Sequence, residues 1–264
     1  MAKIRLDQLV YDLGYADSRE KAKAIVMSGE VFIGDVRADK PGMQVAPDTK
    51  IDVRAKAMPF VSRGGYKLDK ALKVFNLDPS GLVCIDCGAS TGGFTDVLLQ
   101  HGAAHVYSVD VGYGQLAWKL RNDERVTNLE RTNLRYITKE QIPDLLDMSV
   151  CDVSFISEKL IMPAVKPLLK PDAHIVCLIK PQFEAGREAV GKKGVVKDPA
   201  VHEAVIESVV SFFNDSGLSV IGLDYSPIKG PEGNIEFLCH MVNTPDKAQQ
   251  FDIEALVRQA HSQL

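Results

Sequence analysis

The sequence predicts an α/β protein with a doubly wound, mainly parallel sheet of about seven strands, preceded by a small N-terminal α+β domain. From Gly81 onward, apolar strand-like runs alternate with helical segments, which is typical of a parallel sheet covered on both faces. The residues before it show two short helical patterns and then short strands. A chain of 264 residues can form one large and one small domain, and we place them at 59–264 and 1–58.

The N-terminal domain begins with two short helices. Apolar residues recur at helical spacing over 6–13, which predicts a first helix that Gly14 ends. Asp17 and Glu20 have the spacing of a capping box, so they predict the start of a second helix, and Gly29 predicts its end.

Short strands complete this domain. The pattern predicts a hairpin over 31–36, a last strand over 51–53 and a linker over 54–62. Residues 1–80 carry a net charge of +3 and the remaining residues −7. This difference suits a polyanionic partner for the N-terminal domain, but an ordinary solvated surface would also explain it. Arg19 and Lys23 lie one turn apart and can address a phosphate backbone together; charge alone also allows a solvated helix face.

The elements of the larger domain follow from the same reading. A helix containing residues 71–75 precedes the first strand. The predicted strands are 83–87, 106–110, 126–129, 150–153, 174–179, 218–223 and 235–242. The predicted helices after them begin near Thr95 and cover about 115–120, 139–146, 159–169 and 200–216.

Composition excludes several classes of protein. No apolar run approaches the ~18 residues of a membrane span, and the first residues lack the apolar core of a signal peptide, so we expect a cytoplasmic protein. The histidines form no H-x-x-x-H pattern, and the Cys84/Cys87 pair has no second ligand pair at zinc spacing. We therefore expect no metal, and we interpret the cysteines as reduced core thiols.

The turn after strand 83–87 predicts a nucleoside cofactor. It reads Asp86-x-Gly88-x-x-x-Gly92-Gly93, which is not the dinucleotide G-x-G-x-x-G spacing. A carboxylate at the strand tip suits a cationic ligand and repels a pyrophosphate, so S-adenosylmethionine fits better than NAD. Asp110 ends the next strand, where an acid commonly binds ribose hydroxyls. A small-residue turn without any ligand remains the alternative.

Charged residues at the ends of later strands predict where chemistry takes place. Asp152, Lys180 and Glu236 each adjoin an apolar strand, where an unpaired charge is unfavourable. Structural ion pairs would also explain them. Arg63 and Lys67 flank two glycines, which allows close approach of an anion or only a helix-entry turn. The loop 184–198 contains Arg187, Lys192, Lys193 and Lys197 and is either a basic loop that closes over RNA or a solvated insertion.

The front of the chain resembles the S4-like RNA-binding domain. The resemblance covers about residues 3–53 and lies in Arg5-Leu6-Asp7, Ser18-Arg19-x-x-Ala22, Gly29-x-Val31-x-Ile33-Gly34 and Lys40-Pro41. It implies that the paired helices bind structured RNA. Arg63, which precedes the Gly64-Gly65 pair, is expected to contact RNA as well. The expected RNA-binding residues are therefore Arg5, Arg19, Lys21, Lys23 and Arg63.

Nearly the whole chain resembles the TlyA family, in which such a domain precedes a Rossmann-like methyltransferase domain similar to the FtsJ ribose methyltransferases. The motifs are Arg63-Gly64-Gly65-x-Lys67-Leu68, Asp86-x-Gly88-Ala89-Ser90-Thr91-Gly92-Gly93-Phe94-Thr95, Cys151-Asp152-Val153-Ser154-Phe155, Lys180-Pro181-Gln182-Phe183-Glu184 and Gly233-Asn234-Ile235-Glu236. The resemblance implies 2′-O-methylation of cytidines in ribosomal RNA with S-adenosylmethionine as methyl donor. Some members were named haemolysins, although the sequence shows no membrane-active segment.

The same resemblance implies the site residues. The catalytic set is Lys67, Asp152, Lys180 and Glu236. We assign the hydroxyl proton to Lys180, since a partly desolvated lysine has a lowered pKa. The expected cofactor-binding residues are Asp86, Gly88, Ala89, Ser90, Thr91, Gly92, Gly93, Phe94, Asp110, Val111, Asn133 and Asp152.

Two other functions compete with this interpretation. An RNA-binding protein with an inactive methyltransferase fold would be expected to lack one of the four charged residues, and all four are present. An NAD-dependent enzyme would need a glycine spacing that the turn lacks. We expect ribosomal RNA or ribosomal subunits as the partner, and neither a membrane nor an obligate protein partner.

Overall fold

The computed structural model describes residues 3–16, 18–53, 58–191 and 193–264, with Arg187 described by its backbone alone. The chain divides into two compact units, Met1–Pro59 and Phe60–Leu264. The first unit has one buried apolar cluster and the second unit has two.

The first unit combines two helices with short strands. Its elements are β1 (Ile4–Arg5), α1 (Leu6–Asp12), α2 (Arg19–Met27), β2 (Val31–Ile33), β3 (Val36–Arg37), β4 (Gln44–Val45) and β5 (Asp52–Val53). β1 pairs with β4, and β2 pairs with both β3 and β5. Both predicted helices and the hairpin are present. Ser18 caps α2 by accepting the N–H of Lys21. The predicted capping pair includes Asp17, which lies outside the described residues.

The second unit alternates strands and helices as predicted. Its elements are α3 (Gly65–Val74), β6 (Val83–Cys87), α4 (Gly93–Gln100), β7 (His105–Val109), α5 (Trp118–Arg121), β8 (Val126–Leu129), β9 (Leu146–Cys151), α6 (Glu158–Val165), β10 (Leu169–Ile179), α7 (Pro181–Glu184), α8 (Pro199–Asp215), β11 (Ser219–Tyr225), β12 (Phe237–Val242) and α9 (Ile253–Gln263). Single turns of 3₁₀ helix lie at Leu134–Tyr136, Lys166–Leu168 and Arg187–Ala189.

The described strands of this unit form a seven-stranded sheet in the order β11-β12-β10-β9-β6-β7-β8. Every pair between neighbouring strands from β10 to β8 is parallel, whereas β12 runs antiparallel to β10 and β11. Apolar side chains from the two faces form two separate clusters. Cys84 and Cys87 belong to different clusters because residues three apart in a strand face opposite ways. The predicted doubly wound α/β fold is confirmed.

One predicted helix is wrong. Residues 139–146 form turns and then enter β9, where Leu146 is fully buried. Pro143 disfavours helical backbone at Ile142, so the apolar residues here pack without continuing a helix. The C-terminal helix α9, which the sequence reading left out, buries Val257 and Ala260 against the sheet's larger cluster.

Candidate active site

Glycines bring the turn between β6 and α4 close to its neighbours. Gly88 (φ +84°) and Gly92 (φ +93°) adopt left-handed backbone that favours glycine. A Cβ on Gly88 would meet the Asp152 carbonyl oxygen at 3.0 Å, and one on Gly93 would meet Ser62 Oγ at 2.4 Å. The turn therefore lies directly against the segments that follow β9 and precede α3, with no room for side chains there.

Asp86, at the end of β6, supplies a buried carboxylate with one free oxygen. Oδ2 accepts hydrogen bonds from the Thr95 backbone N–H at 2.9 Å and the Thr95 hydroxyl at 2.7 Å. Oδ1 is buried without a hydrogen-bond partner among the described residues. Burial raises the pKa of Asp86 to about 7, even though the Thr95 hydrogen bonds act in the opposite direction. A cationic group in the adjoining cleft would stabilise the ionised form.

The four predicted catalytic side chains meet in one cluster. Lys67 Nζ lies 2.7 Å from Glu236 Oε2 and 3.1 Å from Asp152 Oδ2, and Lys180 Nζ lies 2.5 Å from Asp152 Oδ1. Asp152 is thus shared by the two lysines. Lys180 Nζ also donates to Ser154 Oγ at 3.1 Å.

Three kinds of element position these side chains. Lys67 is on α3, while Asp152 and Lys180 directly follow the parallel strands β9 and β10. Glu236 directly precedes the antiparallel strand β12, so it lies at the same sheet edge. Backbone pairing fixes Asp152 further, because its N–H donates to the Cys87 carbonyl at 3.0 Å.

Charge pairing sets the protonation of two members of the cluster. Burial acts to lower the pKa of Lys67, but the Asp152 and Glu236 carboxylates outweigh it and raise that pKa. Burial acts to raise the pKa of Asp152, but Lys67 and Lys180 outweigh it and lower that pKa. Lys67 is therefore ammonium and Asp152 carboxylate over the physiological pH range.

A cleft of about 560 Å³ joins the glycine turn to the charged cluster. Its lining includes all four predicted catalytic residues and most predicted cofactor residues, namely Asp86, Gly88, Ala89, Ser90, Thr91, Gly93 and Phe94. A ligand in this cleft would contact both sets at once.

Four predicted cofactor residues lie outside this lining: Gly92, Asp110, Val111 and Asn133. Both carboxylate oxygens of Asp110 accept backbone hydrogen bonds, from Ser90 N–H at 2.8 Å and Gly112 N–H at 2.7 Å. Asn133 accepts the N–H of Arg135, and Thr132 N–H donates to the Asp110 carbonyl. Through Ser90, the Asp110 carboxylate holds the shape of the glycine turn.

Several lining residues were missed as site residues by the sequence reading: Ser62, Ser154, Phe155, Gln182 and Phe183. Phe155 is 91% exposed, has a φ of +65° and lies 5.2 Å, ring centre to ring centre, from Phe183. Gln182 Nε2 donates to Glu236 Oε1 at 3.3 Å. All except Ser62 lie two or three positions after Asp152 or Lys180 in the sequence. That proximity to a predicted strand-end charge is the signal that could have found them.

The predicted RNA-binding residues lie on exposed surfaces. In the first unit, Arg5 forms a bidentate pair with Asp7, and Arg19 is 4.0 Å from the same carboxylate. Lys21 and Lys23 are exposed on α2. In the second unit, Arg63 is exposed and donates to the Lys229 carbonyl at 3.3 Å.

The basic loop is only partly described. Lys193 and Lys197 are exposed, while Lys192 and the Arg187 side chain lie outside the description. Asn234 binds this loop from both sides of its amide: its Oδ1 accepts the Val196 N–H and its Nδ2 donates to the Gly194 carbonyl, each at 2.9 Å.

Fold and cleft together define a class of protein. The sheet is doubly wound and has an antiparallel strand near one edge, and its central strand ends in an acid and a glycine turn. This is the architecture of S-adenosylmethionine-dependent methyltransferases. Residues 60–242 match the family model of FtsJ-like methyltransferases, and residues 4–51 match the S4 domain. The chain belongs to the FtsJ-like methyltransferase family, and its full-length relatives include proteins named TlyA, which confirms the predicted resemblance.

Two curated relatives and one solved structure illustrate the similarity. A candidate rRNA methyltransferase from Bacillus subtilis, YqxC, is 48% identical over 99% of this chain and 95% of its own length. The 16S/23S rRNA (cytidine-2′-O)-methyltransferase TlyA of Mycobacterium tuberculosis is 43% identical over 93% of this chain and 92% of its own length. A structure described as a candidate hemolysin from Streptococcus thermophilus has 47% identity and a TM-score of 0.78, covering 100% of this chain and 97% of that one.

In the described part of the chain, no helix combines the length and the apolar character that crossing a bilayer requires.

Proposed function

We propose that this protein transfers a methyl group from S-adenosylmethionine to a ribose 2′-hydroxyl of ribosomal RNA, on cytidine. The observation that supports this most directly is that Lys67, Asp152, Lys180 and Glu236 meet in the cleft that the glycine turn also lines. The naming of a 43% identical relative as a cytidine-2′-O-methyltransferase supports the same reaction.

The residues of the cleft fit the methyl donor. Asp86 presents an unpartnered carboxylate oxygen suited to the ammonium group of a bound methionine moiety, and Gly88 and Gly93 leave room for close approach to the backbone. When bound, S-adenosylmethionine supplies a methyl group that its sulfonium already activates. The protein therefore has to align the acceptor oxygen and manage the proton of the hydroxyl.

The charged cluster performs that second task. Lys180 Nζ is the atom to which we assign the proton of the 2′-hydroxyl: it takes this proton as a neutral amine and becomes an ammonium group, and Asp152 and Ser154 fix its position from two sides. Lys67 remains protonated and pairs with both Asp152 and Glu236. Once Lys180 has taken the proton, the two ammonium groups and the two carboxylates of the cluster sum to zero charge, so the four groups pack closely without net repulsion.

The S4 domain supports an RNA substrate. We propose ribosomal RNA or a ribosomal subunit as the partner and the cytoplasm as the location, with Arg5, Arg19, Lys21 and Lys23 in contact with the RNA backbone. Arg63 would contact RNA from the second unit.

The test is transfer of tritium from labelled S-adenosylmethionine to ribosomal subunits and to free rRNA, followed by mapping of 2′-O-methylated riboses. Lys180→Ala should lower the rate by about 100-fold or more while the cofactor dissociation constant stays within about threefold. Lys170→Ala is the matched control, since Lys170 lies near the beginning of the strand that Lys180 follows and forms an exposed ion pair with Asp147.

Failure of the wild-type protein to label either substrate would contradict the proposed function and favour an RNA-binding protein with an inactive methyltransferase fold. Labelling that persists in Lys180→Ala would instead remove only the role of Lys180. A methyl group found on a base rather than on a ribose would contradict the proposed acceptor.

A further inference from the structure

The carboxylate of Glu184 connects two segments that leave the sheet next to each other. Glu184 ends α7, the short helix that Lys180 precedes. Its Oε2 accepts the Ser157 hydroxyl at 2.7 Å, and its Oε1 accepts the Glu158 backbone N–H at 2.9 Å. Because Ser157 is the N-cap of α6, Glu184 satisfies donors at the beginning of that helix.

These hydrogen bonds close a ring of contacts. We call residues 152–158 the first arm and residues 180–184 the second arm. At one end the arms are joined by the Asp152–Lys180 ion pair at 2.5 Å, and at the other end by the hydrogen bonds to Glu184. Between them the rings of Phe155 and Phe183 lie 5.2 Å apart.

The second arm is short and locally constrained. The Phe183 N–H donates to the Lys180 carbonyl at 2.9 Å, and the Ala185 N–H donates to the Pro181 carbonyl at the same distance. Through this single turn, a displacement of Glu184 moves the Lys180 backbone with it. The first arm is anchored at Asp152 by the Cys87 carbonyl and at Val153 and Glu158 by burial, whereas Phe155 between them is almost fully exposed and has left-handed backbone.

The setting of Glu184 is not that of a surface carboxylate. Burial raises its pKa, while the Ser157 and Glu158 hydrogen bonds act to lower it. The neighbouring Glu158 side chain is buried as well. The ionised Glu184 therefore depends on these two donors, and they hold it in one position.

We propose that Glu184 is a positioning residue for methyl transfer, which sets the separation of Asp152 and Lys180 by tying the two arms together. The inference rests on the proposed function, because it assumes that Lys180 handles the substrate proton. Misplacement of a reacting group by about 1 Å can lower a rate by about 100-fold, so a contact outside the cleft can control the reaction.

The experiment compares kcat per cofactor-binding site in wild type, Glu184→Ala, Glu184→Gln and Ser157→Ala, with Glu188→Ala as control. Glu188 is an exposed carboxylate a few residues along the same segment. Glutamine can accept the Glu158 N–H and donate to the Ser157 oxygen, so it keeps both links with one hydrogen bond reversed.

We expect Glu184→Ala to lower kcat by roughly 10- to 100-fold, with the KM for rRNA and the cofactor dissociation constant within about twofold. Glu184→Gln should recover activity to within about threefold of wild type, and Glu188→Ala should match wild type. The double variant Ser157→Ala/Glu184→Ala should be no slower than Glu184→Ala alone, because Ser157→Ala removes a hydrogen bond that Glu184→Ala has already removed. A loss of global stability alone would lower the number of binding sites, but not the rate per site.

A kcat per site for Glu184→Ala equal to that of Glu188→Ala would overturn the inference and leave the proposed function intact. Absence of transfer by the wild type on every rRNA substrate would reject the proposed function and this inference with it. If Glu184→Ala does not fold, Ser157→Ala decides: a lowered kcat at unchanged cofactor affinity supports the link, and a wild-type kcat overturns it.

Discussion

Replacing Asp86 with asparagine should stabilise the protein without its cofactor at alkaline pH and weaken cofactor binding. In the folded protein, burial holds the pKa of Asp86 at about 7, against 3.8 for the free side chain. That difference corresponds to about 4 kcal/mol by which the folded state disfavours the ionised carboxylate. Asparagine keeps an oxygen that can accept both hydrogen bonds from Thr95 and carries no charge.

The sign of the pH dependence follows from proton binding. Between pH 3.8 and about 7 the folded chain keeps a proton on Asp86 that the unfolded chain has lost, so the stability of the wild type falls as the pH rises through this interval. The Asp86→Asn variant lacks this dependence. Its free energy of unfolding relative to wild type should therefore increase by about 3 kcal/mol between pH 5 and pH 8.

Urea unfolding followed by circular dichroism at pH 5 and pH 8 measures this difference. Asp78→Asn is the control, because it makes the same change of charge at an exposed carboxylate. An Asp86→Asn difference that is the same at both pH values would refute the assignment of a buried, unpartnered carboxylate.

Calorimetric titration with S-adenosylmethionine tests the second half of the prediction. Since only the ionised carboxylate attracts an ammonium group, the wild-type dissociation constant should rise up to about tenfold for each pH unit below 7. The Asp86→Asn variant should bind more weakly at pH 8 and show little dependence on pH. Wild-type affinity in this variant at pH 8 would show that Asp86 does not contact the ligand.

Three further predictions concern other parts of the chain. Gly93→Ala should lower the melting temperature and the cofactor affinity, because its Cβ would meet Ser62 Oγ at 2.4 Å; an unchanged melting temperature would contradict the close approach. Arg19→Glu combined with Lys23→Glu should weaken RNA binding and reduce the salt slope in filter binding by about two, and an unchanged slope would exclude this helix face from RNA contact. Burial, and to a smaller extent the neighbouring His261, lowers the pKa of His202 to about 4. As the pH falls from 6.5 towards 4, only the unfolded chain takes up this proton, so the free energy of unfolding should decrease. In urea titrations, His202→Gln should remove up to about 3 kcal/mol of that decrease. An equal decrease in both proteins would contradict the lowered pKa of His202.

The sheet could be predicted because its strands are buried on both faces and therefore appear as continuous apolar runs. The meeting of two charged residues also follows from the sequence. Asp152 and Lys180 end parallel strands, and the carboxyl ends of such strands share one edge. Glu236 reaches the same edge only because β12 runs antiparallel, so that its beginning lies where the other strands end. Strand direction at β12 depends on tertiary packing and is not written in the local pattern.

Lys67 and the lining of the cleft show what local patterns do not contain. Lys67 is on helix α3, which precedes the sheet, so no strand-end rule places it. The two glycines before it indicated at most an anion site, and only the family resemblance assigned it to the catalytic set. Asp110 stays a predicted ribose-binding residue, and the sequence did not indicate that both its oxygens accept backbone N–H groups of neighbouring turns. The contacts of Glu184 join residues 26 and 27 positions away, a separation at which sequence periodicity gives no information.

The remaining question is whether the charged cluster is a structural ion pair that happens to line a cleft. Buried ion pairs seldom stabilise a fold more than apolar residues of the same volume would, because desolvation offsets the attraction. Here Asp152 lies between two lysines that come from different elements. The backbone of Gly88 also approaches the Asp152 carbonyl so closely that a Cβ on Gly88 would lie 3.0 Å from its oxygen. A purely structural pair would need neither a second lysine nor a glycine at that contact. An arrangement that is open to a cleft and adjoins the glycine turn supports the proposed role in the reaction over a purely structural one.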